Sequence, residues 1–428
     1  MNSERQRFHC EVALVEGRLV ERVRVEAVDG VVVGLVAGVS PQPDDVTLGT
    51  VVPGFANAHS HAFHRELRGR THADGGDFWQ WRHRMYDVAN RLTPDSYHVL
   101  AERVFAEMRD AGYTAVGEFH YLHHQPDGTP YGGHEMELAL AAAATSAGVR
   151  LALLDTCYLS GGVNEPLGTQ QRRFGDGDAH RWLDRWHRLR DALSGQGDDL
   201  VTLGAAIHSV RAVSRSDLTV IADGLPPDVP LHAHVSEQPA ENQACLDAHG
   251  LTPVGLLADH GLVSSRFSAV HATHLTTGDI GLLGNAGATI VMCPTTEADL
   301  GDGIGPAPEL RDAGARLAIG SDQHVVIDPL EELSRLEFDQ RLRLRRRGIF
   351  APDTLWAAGT VGGYESLGLS RHPGSPPGLR VGEHWDAVEI QTTSARVRGV
   401  DPWQLPLAAR ACDVRATIVG GRLTRPVR

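Results

Sequence analysis

Between residues 51 and 325, short apolar or β-branched runs alternate with longer stretches of helical period, and this alternation constrains the fold more than any other feature of the chain. Strands separated by helices lie parallel, because each crossover helix returns the chain to the same end of the sheet. The runs fall at 47–55, 113–119, 149–155, 201–207, 229–235, 267–270, 288–292 and 316–319. Eight parallel strands close into a barrel, so the predicted class is α/β with a (β/α)8 barrel. Helices are expected near 94–111, where Leu100, Val104 and Met108 recur behind a Thr93 cap, and near 134–147, 179–193, 216–223, 239–249 and 330–346. In such a barrel, chemistry belongs where strands end and the following loops begin.

The flanks have another character. Residues 10–14, 23–28 and 31–36 read as strands with turns at Glu16-Gly17 and Asp29-Gly30, and 385–390 and 414–419 resume that pattern with a hairpin turn at Gly420-Gly421. Neither end alone buries enough apolar surface. Both are therefore expected to form one small β-sandwich, dividing the chain into 1–50, a barrel at 51–372, and 373–428. The Gly-rich segment 161–177 reads as a long loop of the kind that serves as a lid or binding loop.

All 40 basic residues are arginine, so a Schiff-base lysine, a phosphate-loop lysine and a carbamylated lysine bridging two metals are excluded. A formal charge of −14 argues against a nucleic-acid partner. The polar start, residues 1–7, does not read as a signal peptide, and no stretch approaches the roughly 20 apolar residues of a membrane span, so a cytoplasmic protein is expected. The five scattered cysteines form no CxxC pair and are expected to be buried small apolar residues.

Histidines and carboxylates recur at the strand ends. Pro53-Gly54-Phe55-Ala56-Asn57-Ala58-His59-Ser60-His61 ends the first run, and two histidines one residue apart project to the same side of a strand. The fifth run ends in His232-Ala233-His234-Val235-Ser236-Glu237, the sixth in His271 and the eighth in Gly320-Ser321-Asp322. Three imidazoles and one carboxylate hold a divalent ion while leaving a position for water, so His59, His61, His234 and Asp322 are the candidate ligands. His232 is either a further ligand or a buried barrel residue. Glu237 is placed to exchange protons with the water and the departing nitrogen, although an acidic residue also suits the start of the next helix. His271 is the candidate stabiliser of the attacking oxygen, and Asp322 a second proton acceptor.

These residues, with His271-Ala272-Thr273-His274, resemble the amidohydrolase superfamily over nearly the whole chain. Longer motifs look like its formiminoglutamate deiminases of histidine degradation: Phe78-Trp79-Gln80-Trp81-Arg82, Glu118-Phe119-His120-Tyr121-Leu122-His123-His124, His208-Ser209-Val210-Arg211, and residues 293–303. The resemblance implies the same four ligands and the same roles for Glu237 and His271. It also implies substrate contacts at Arg82, Tyr121, His208 and Arg211 and a homodimer, while the absence of lysine implies one metal ion per chain, zinc or, with the same donor set, iron. His64 joins that substrate set, standing where better-known members carry glutamine. His120, His123 and His124 are expected to be loop histidines.

The implied substrate is a small dicarboxylate amidine, and arginine forks suit carboxylates. The implied reaction displaces ammonia from N-formimino-L-glutamate and yields N-formyl-L-glutamate. A nucleobase or adenosine deaminase would share the metal site but have no need of paired arginines. A non-catalytic barrel would have no need of the complete ligand set.

Overall fold

The computed structural model describes residues 5–71, 78–195, 197 and 199–426. Residues 1–4 of the polar start, and the side chains of Phe78 and Trp79, lie outside the described residues. Among the described residues, no helix is long and apolar enough to cross a membrane.

The eight-stranded sheet takes its strands in sequence order, all parallel: Phe55–Ser60, Tyr113–His120, Arg150–Cys157, Val201–Ile207, Leu231–Val235, Phe267–His271, Thr289–Met292 and Arg316–Ile319. The first three strands are buried along their whole length, as barrel strands beneath a ring of helices must be. Closure is made at the rim, where Ser60 bridges Asp322. There the Asp322 amide donates to the His59 carbonyl at 3.0 Å, and the His61 amide donates to the Asp322 carbonyl at 3.1 Å. The residues that shut the barrel are thus the candidate ligands themselves.

The expected first barrel strand, 47–55, is corrected. Its β-branched run holds two strands of different sheets, and only Phe55–Ser60 belongs to the barrel. Val46–Pro53 pairs with the N-terminal strand on one side and Ala387–Ile390 on the other. The seam is Gly54, where a Cβ would come within 2.0 Å of Thr114 Oγ1. A division at residue 50 therefore runs through a strand of the terminal sheet.

That sheet has seven strands in the order Arg422–Thr424, Val414–Val419, Ala387–Ile390, Val46–Pro53, Arg5–Val15, Arg18–Val28, Val31–Val36. Its turns fall where expected, with Glu16, Gly17, Asp29, Gly30, Gly420 and Gly421 all at positive φ. It is one continuous sheet curled over its own core. Phe8, Val25, Leu48, Trp385 and Ile418 share that core, and the Trp385 amide reaches across to the Gly30 carbonyl at 2.8 Å.

The helix Pro94–Asp110 starts at Thr93, whose hydroxyl accepts from the Ser96 amide, and it buries Tyr97, Ala101, Val104, Phe105 and Met108. The other expected helices form within about two residues of their expected ends, Glu135–Ala147, Ala179–Ser194, Arg215–Gly224, Pro239–His249 and Pro329–Leu344. The loop 161–177 is docked rather than loose: Gln171, Arg173 and Phe174 are buried, and the Arg173 carbonyl accepts from the His123 and His124 amides. Cys10, Cys157, Cys245 and Cys293 are buried as expected, whereas Cys412 is exposed because it lies in the short surface turn Ala411–Asp413.

Candidate functional site

His59 and His61 leave the first strand on the same side, and the fifth and eighth strands bring His234 and Asp322 to meet them. His59 Nε2 is 3.1 Å from His234 Nε2, and His61 Nε2 is 3.4 Å from it. Asp322 Oδ1 lies 3.4 Å from His59 Nε2 and 3.5 Å from His61 Nε2. A tetrahedral ion with bonds of about 2.0–2.1 Å spaces its ligand atoms by about 3.3–3.4 Å, so the four atoms fit a divalent metal.

The imidazoles are prepared as ligands. Burial, reinforced by neighbouring histidines, holds the pKa of His59 and His234 well below the ordinary value and that of His61 at about 3, so each carries a lone pair. His61 Nδ1–H donates to the Phe119 carbonyl at 2.8 Å and His234 Nδ1–H to the His208 carbonyl at 2.9 Å. Those bonds set the tautomer and leave Nε2 facing the centre. His232 does not take part: its Nε2 donates to the Ser366 carbonyl at 2.9 Å.

The rim is strained where it carries chemistry. Ser236, His271, Ala272, Asp322 and His324 all have positive φ, a conformation disfavoured for residues with a Cβ. The left-handed turn at Ser236 carries the chain on to Glu237, whose Oε1 lies 3.8 Å from His271 Nε2. His271 Nε2 is also 3.8 Å from Asp322 Oδ2, and its Nδ1 faces Glu297 Oε1 at 3.3 Å. Burial opposes charge on this imidazole, but Glu237, Glu297 and Asp322 outweigh it and raise its pKa to about 10. His271 is therefore a cationic donor beside the carboxylate.

A cleft opens above the cluster and is bordered by every expected substrate residue, His64, Arg82, Tyr121, His208 and Arg211, together with Glu237 and His271. Arg82 lies in the helix Phe78–Ala89. Arg211 Nη2 lies 3.6 Å from Glu237 Oε2 and its Nε 3.9 Å from Glu241 Oε2, distances beyond a good hydrogen bond, and the Nε is an orphaned buried donor. Tyr121 is packed at the edge of the cleft, 2% exposed, with its hydroxyl 3.1 Å from His64 Nε2. Burial and the nearby Arg211 and Arg82 keep His208 neutral.

His120, His123 and His124 are not open loop histidines. They are buried in an ion cluster with Glu137, Asp155, Asp176 and Arg185, outside the cleft. Although His120, His123 and Glu137 are close enough to share a metal, both nitrogens of His123 face acceptors at 2.8 Å, Glu137 and the Thr156 carbonyl, and Arg185 occupies the same Glu137 oxygen. That is the bonding of an imidazolium, not of a ligand.

Several residues of the site were not assigned a role from sequence. Glu297 supports His271. Glu118, raised to about 8 by burial despite its donors, accepts from the Ser60 hydroxyl and the Ala62 amide and so grips the turn that carries His59 and His61. Trp81, Met85 and Leu300 complete the cleft. Glu118 and Glu297 stand inside the motifs noted above, and an acidic residue at a strand end or helix start was the available signal.

Known proteins share this architecture. The amidohydrolase family model matches residues 50–424. Formimidoylglutamate deiminase of Pseudomonas aeruginosa is 38% identical over 372 residues, covering 84% of this chain and 81% of its own. A 5-methylthioadenosine/S-adenosylhomocysteine deaminase of Haloquadratum walsbyi is more distant, 27% identical over 382 residues, covering 87% and 78%. An amidohydrolase structure from Brucella melitensis superposes with a TM-score of 0.90 at 36% identity over 98% of this chain and 94% of the other. With the match spanning the barrel and the C-terminal strands of the terminal sheet, the chain belongs to the amidohydrolase family.

Proposed function

We propose that this chain hydrolyses N-formimino-L-glutamate to N-formyl-L-glutamate and ammonia. The observation that carries the reading is the pair of arginines, Arg82 and Arg211, on the wall of the cleft whose floor is the histidine–aspartate cluster. A substrate with two carboxylates and one amidine carbon suits two guanidinium groups and one centre of attack, whereas a nucleobase offers no carboxylate to either guanidinium. The 38% identity to a formimidoylglutamate deiminase supports the same choice.

His59, His61, His234 and Asp322 would hold one zinc ion, a donor set that also suits iron, and the metal would supply a water with its pKa lowered towards about 7 and a Lewis acid for the C=N carbon. The remaining work belongs to side chains. Glu237 takes one proton from the attacking water and delivers it to the amidine nitrogen; the proton left on the hydroxyl, accepted by Asp322, follows to the same nitrogen, so that the C–N bond breaks, ammonia leaves and the oxygen stays on carbon as the carbonyl. His271, cationic and 3.8 Å from Glu237, donates towards the oxygen as charge develops on it. Arg82 and Arg211 hold the carboxylates, with Tyr121, His208 and His64 bordering the chain between them.

The test is ammonia release by metal-replete protein from formiminoglutamate, formiminoaspartate and guanine, with metal analysis in parallel. Formiminoglutamate is expected to be the best substrate, one metal is expected per chain, and Arg82→Met or Arg211→Met should each raise KM by about ten- to a hundredfold, the worth of a charged hydrogen-bonded contact. Silence with formiminoglutamate, or arginine variants as efficient as the wild type, would reject the assignment.

A further inference from the structure

Arg82 is held from behind. Its Nε donates to the Tyr86 hydroxyl one helical turn away, its Nη2 donates to the Tyr158 hydroxyl at 3.1 Å and to the Gly161 carbonyl at 3.4 Å, and its guanidinium lies 5.5 Å from the centre of the Tyr86 ring. Both hydroxyls also accept from a single residue of the docked loop. Gln171 Nε2 donates to Tyr86 at 3.0 Å and to Tyr158 at 2.8 Å. The carboxamide has only one way round, because its Oε1 accepts from the Gly168 amide at 2.8 Å.

Each phenol oxygen has two lone pairs, and here one meets Gln171 and the other meets Arg82. Gln171 thereby orients both phenols so that an acceptor faces the guanidinium. Gln171, Tyr86 and Tyr158 are all buried, and Gln171 does not border the cleft. The two arginines thus differ in kind: Arg82 is locked by hydrogen bonds, whereas Arg211 faces Glu237 and Glu241 at longer range.

We propose that Gln171 is a positioning residue for the dicarboxylate substrate, acting through Tyr86 and Tyr158 to pre-organise Arg82 as a carboxylate anchor. The inference rests on the reading above that Arg82 holds a substrate carboxylate. Pre-organisation of an anchor remote from the reacting carbon strengthens ground state and transition state alike, so its loss appears in KM and not in kcat.

The experiment is steady-state kinetics of the metal-loaded protein with formiminoglutamate for the wild type, Gln171→Met, Arg82→Met and the double variant. Gln171→Met is expected to raise KM about tenfold, as for loss of one hydrogen bond to a charged group, with kcat within about twofold. In the Arg82→Met background the same change should have no further effect on KM. Should Gln171→Met fail to fold, Tyr158→Phe removes one of the two acceptors through which Gln171 acts on Arg82 and carries the same expectation. Wild-type turnover with an unaltered KM in the Gln171 variant, a matching fall in kcat, or a KM effect that persists in full without Arg82 overturns this inference alone. Absence of wild-type turnover removes the substrate reading and this inference with it.

Discussion

The four candidate ligand atoms lie in a sphere that no local part of the chain defines, yet each residue that carries one is legible in the sequence. His59 and His61 announce themselves because alternate residues of a strand share a face, and His234, His271 and Asp322 because each closes an apolar run. Glu237 carries the proton step in our reading, and Glu237→Gln keeps its size while removing the acceptor. That change should lower kcat by about 10²- to 10⁴-fold with metal content unchanged. Turnover within tenfold of the wild type, in protein shown by metal analysis to be loaded, would reassign the step. Less legible were the supporting carboxylates. Glu118 and Glu297 act through Ser60, Ala62 and His271, and nothing in their own neighbourhoods names those partners.

At the scale of elements, periodicity located seven of the barrel strands and the principal helices, and it failed at 47–55 for a definite reason. A run of β-branched residues reports extended backbone but not which sheet the backbone joins, and the break at Gly54 is set by Thr114 on the second strand. The cluster around His123 is likewise a matter between elements. His123 meets Glu137 on the helix Glu135–Ala147, Asp155 on the third strand, and Arg185 on the helix Ala179–Ser194, with His120 alongside. Burial and Arg185 oppose a proton on His123, but Asp155 and Glu137 outweigh them and raise its pKa. A raised folded pKa stabilises the fold fully below the unfolded value of about 6.5, and that contribution is lost as pH rises through the folded value. Thermal melts between about pH 6 and pH 10 should show the advantage of the wild type over His123→Gln shrinking as pH rises. A gap that stays constant across that range contradicts a charged His123.

For the whole molecule, the joint between barrel and terminal sheet rests on Asp386. It accepts from Arg150 Nε at 2.6 Å and Nη2 at 3.2 Å, from the Tyr364 hydroxyl at 2.8 Å, and from the Gly420 amide at 2.7 Å. Asp386→Ala strands a buried guanidinium and should cost about 3–5 kcal/mol in denaturant unfolding, and a loss under about 1 kcal/mol would make the joint incidental. What residue order alone determined was the kind of element through most of the barrel and the chemistry at the strand ends, since both follow from side-chain period and from the donor atoms of histidine, aspartate and glutamate. What only the folded chain decided was pairing: that Val46–Pro53 joins the terminal sheet, that Asp322 closes the barrel against His59 and His61, and that Gln171 reaches Arg82 through two tyrosines. Such contacts depend on distances between segments far apart in sequence, and those distances come into being when the sheet shuts.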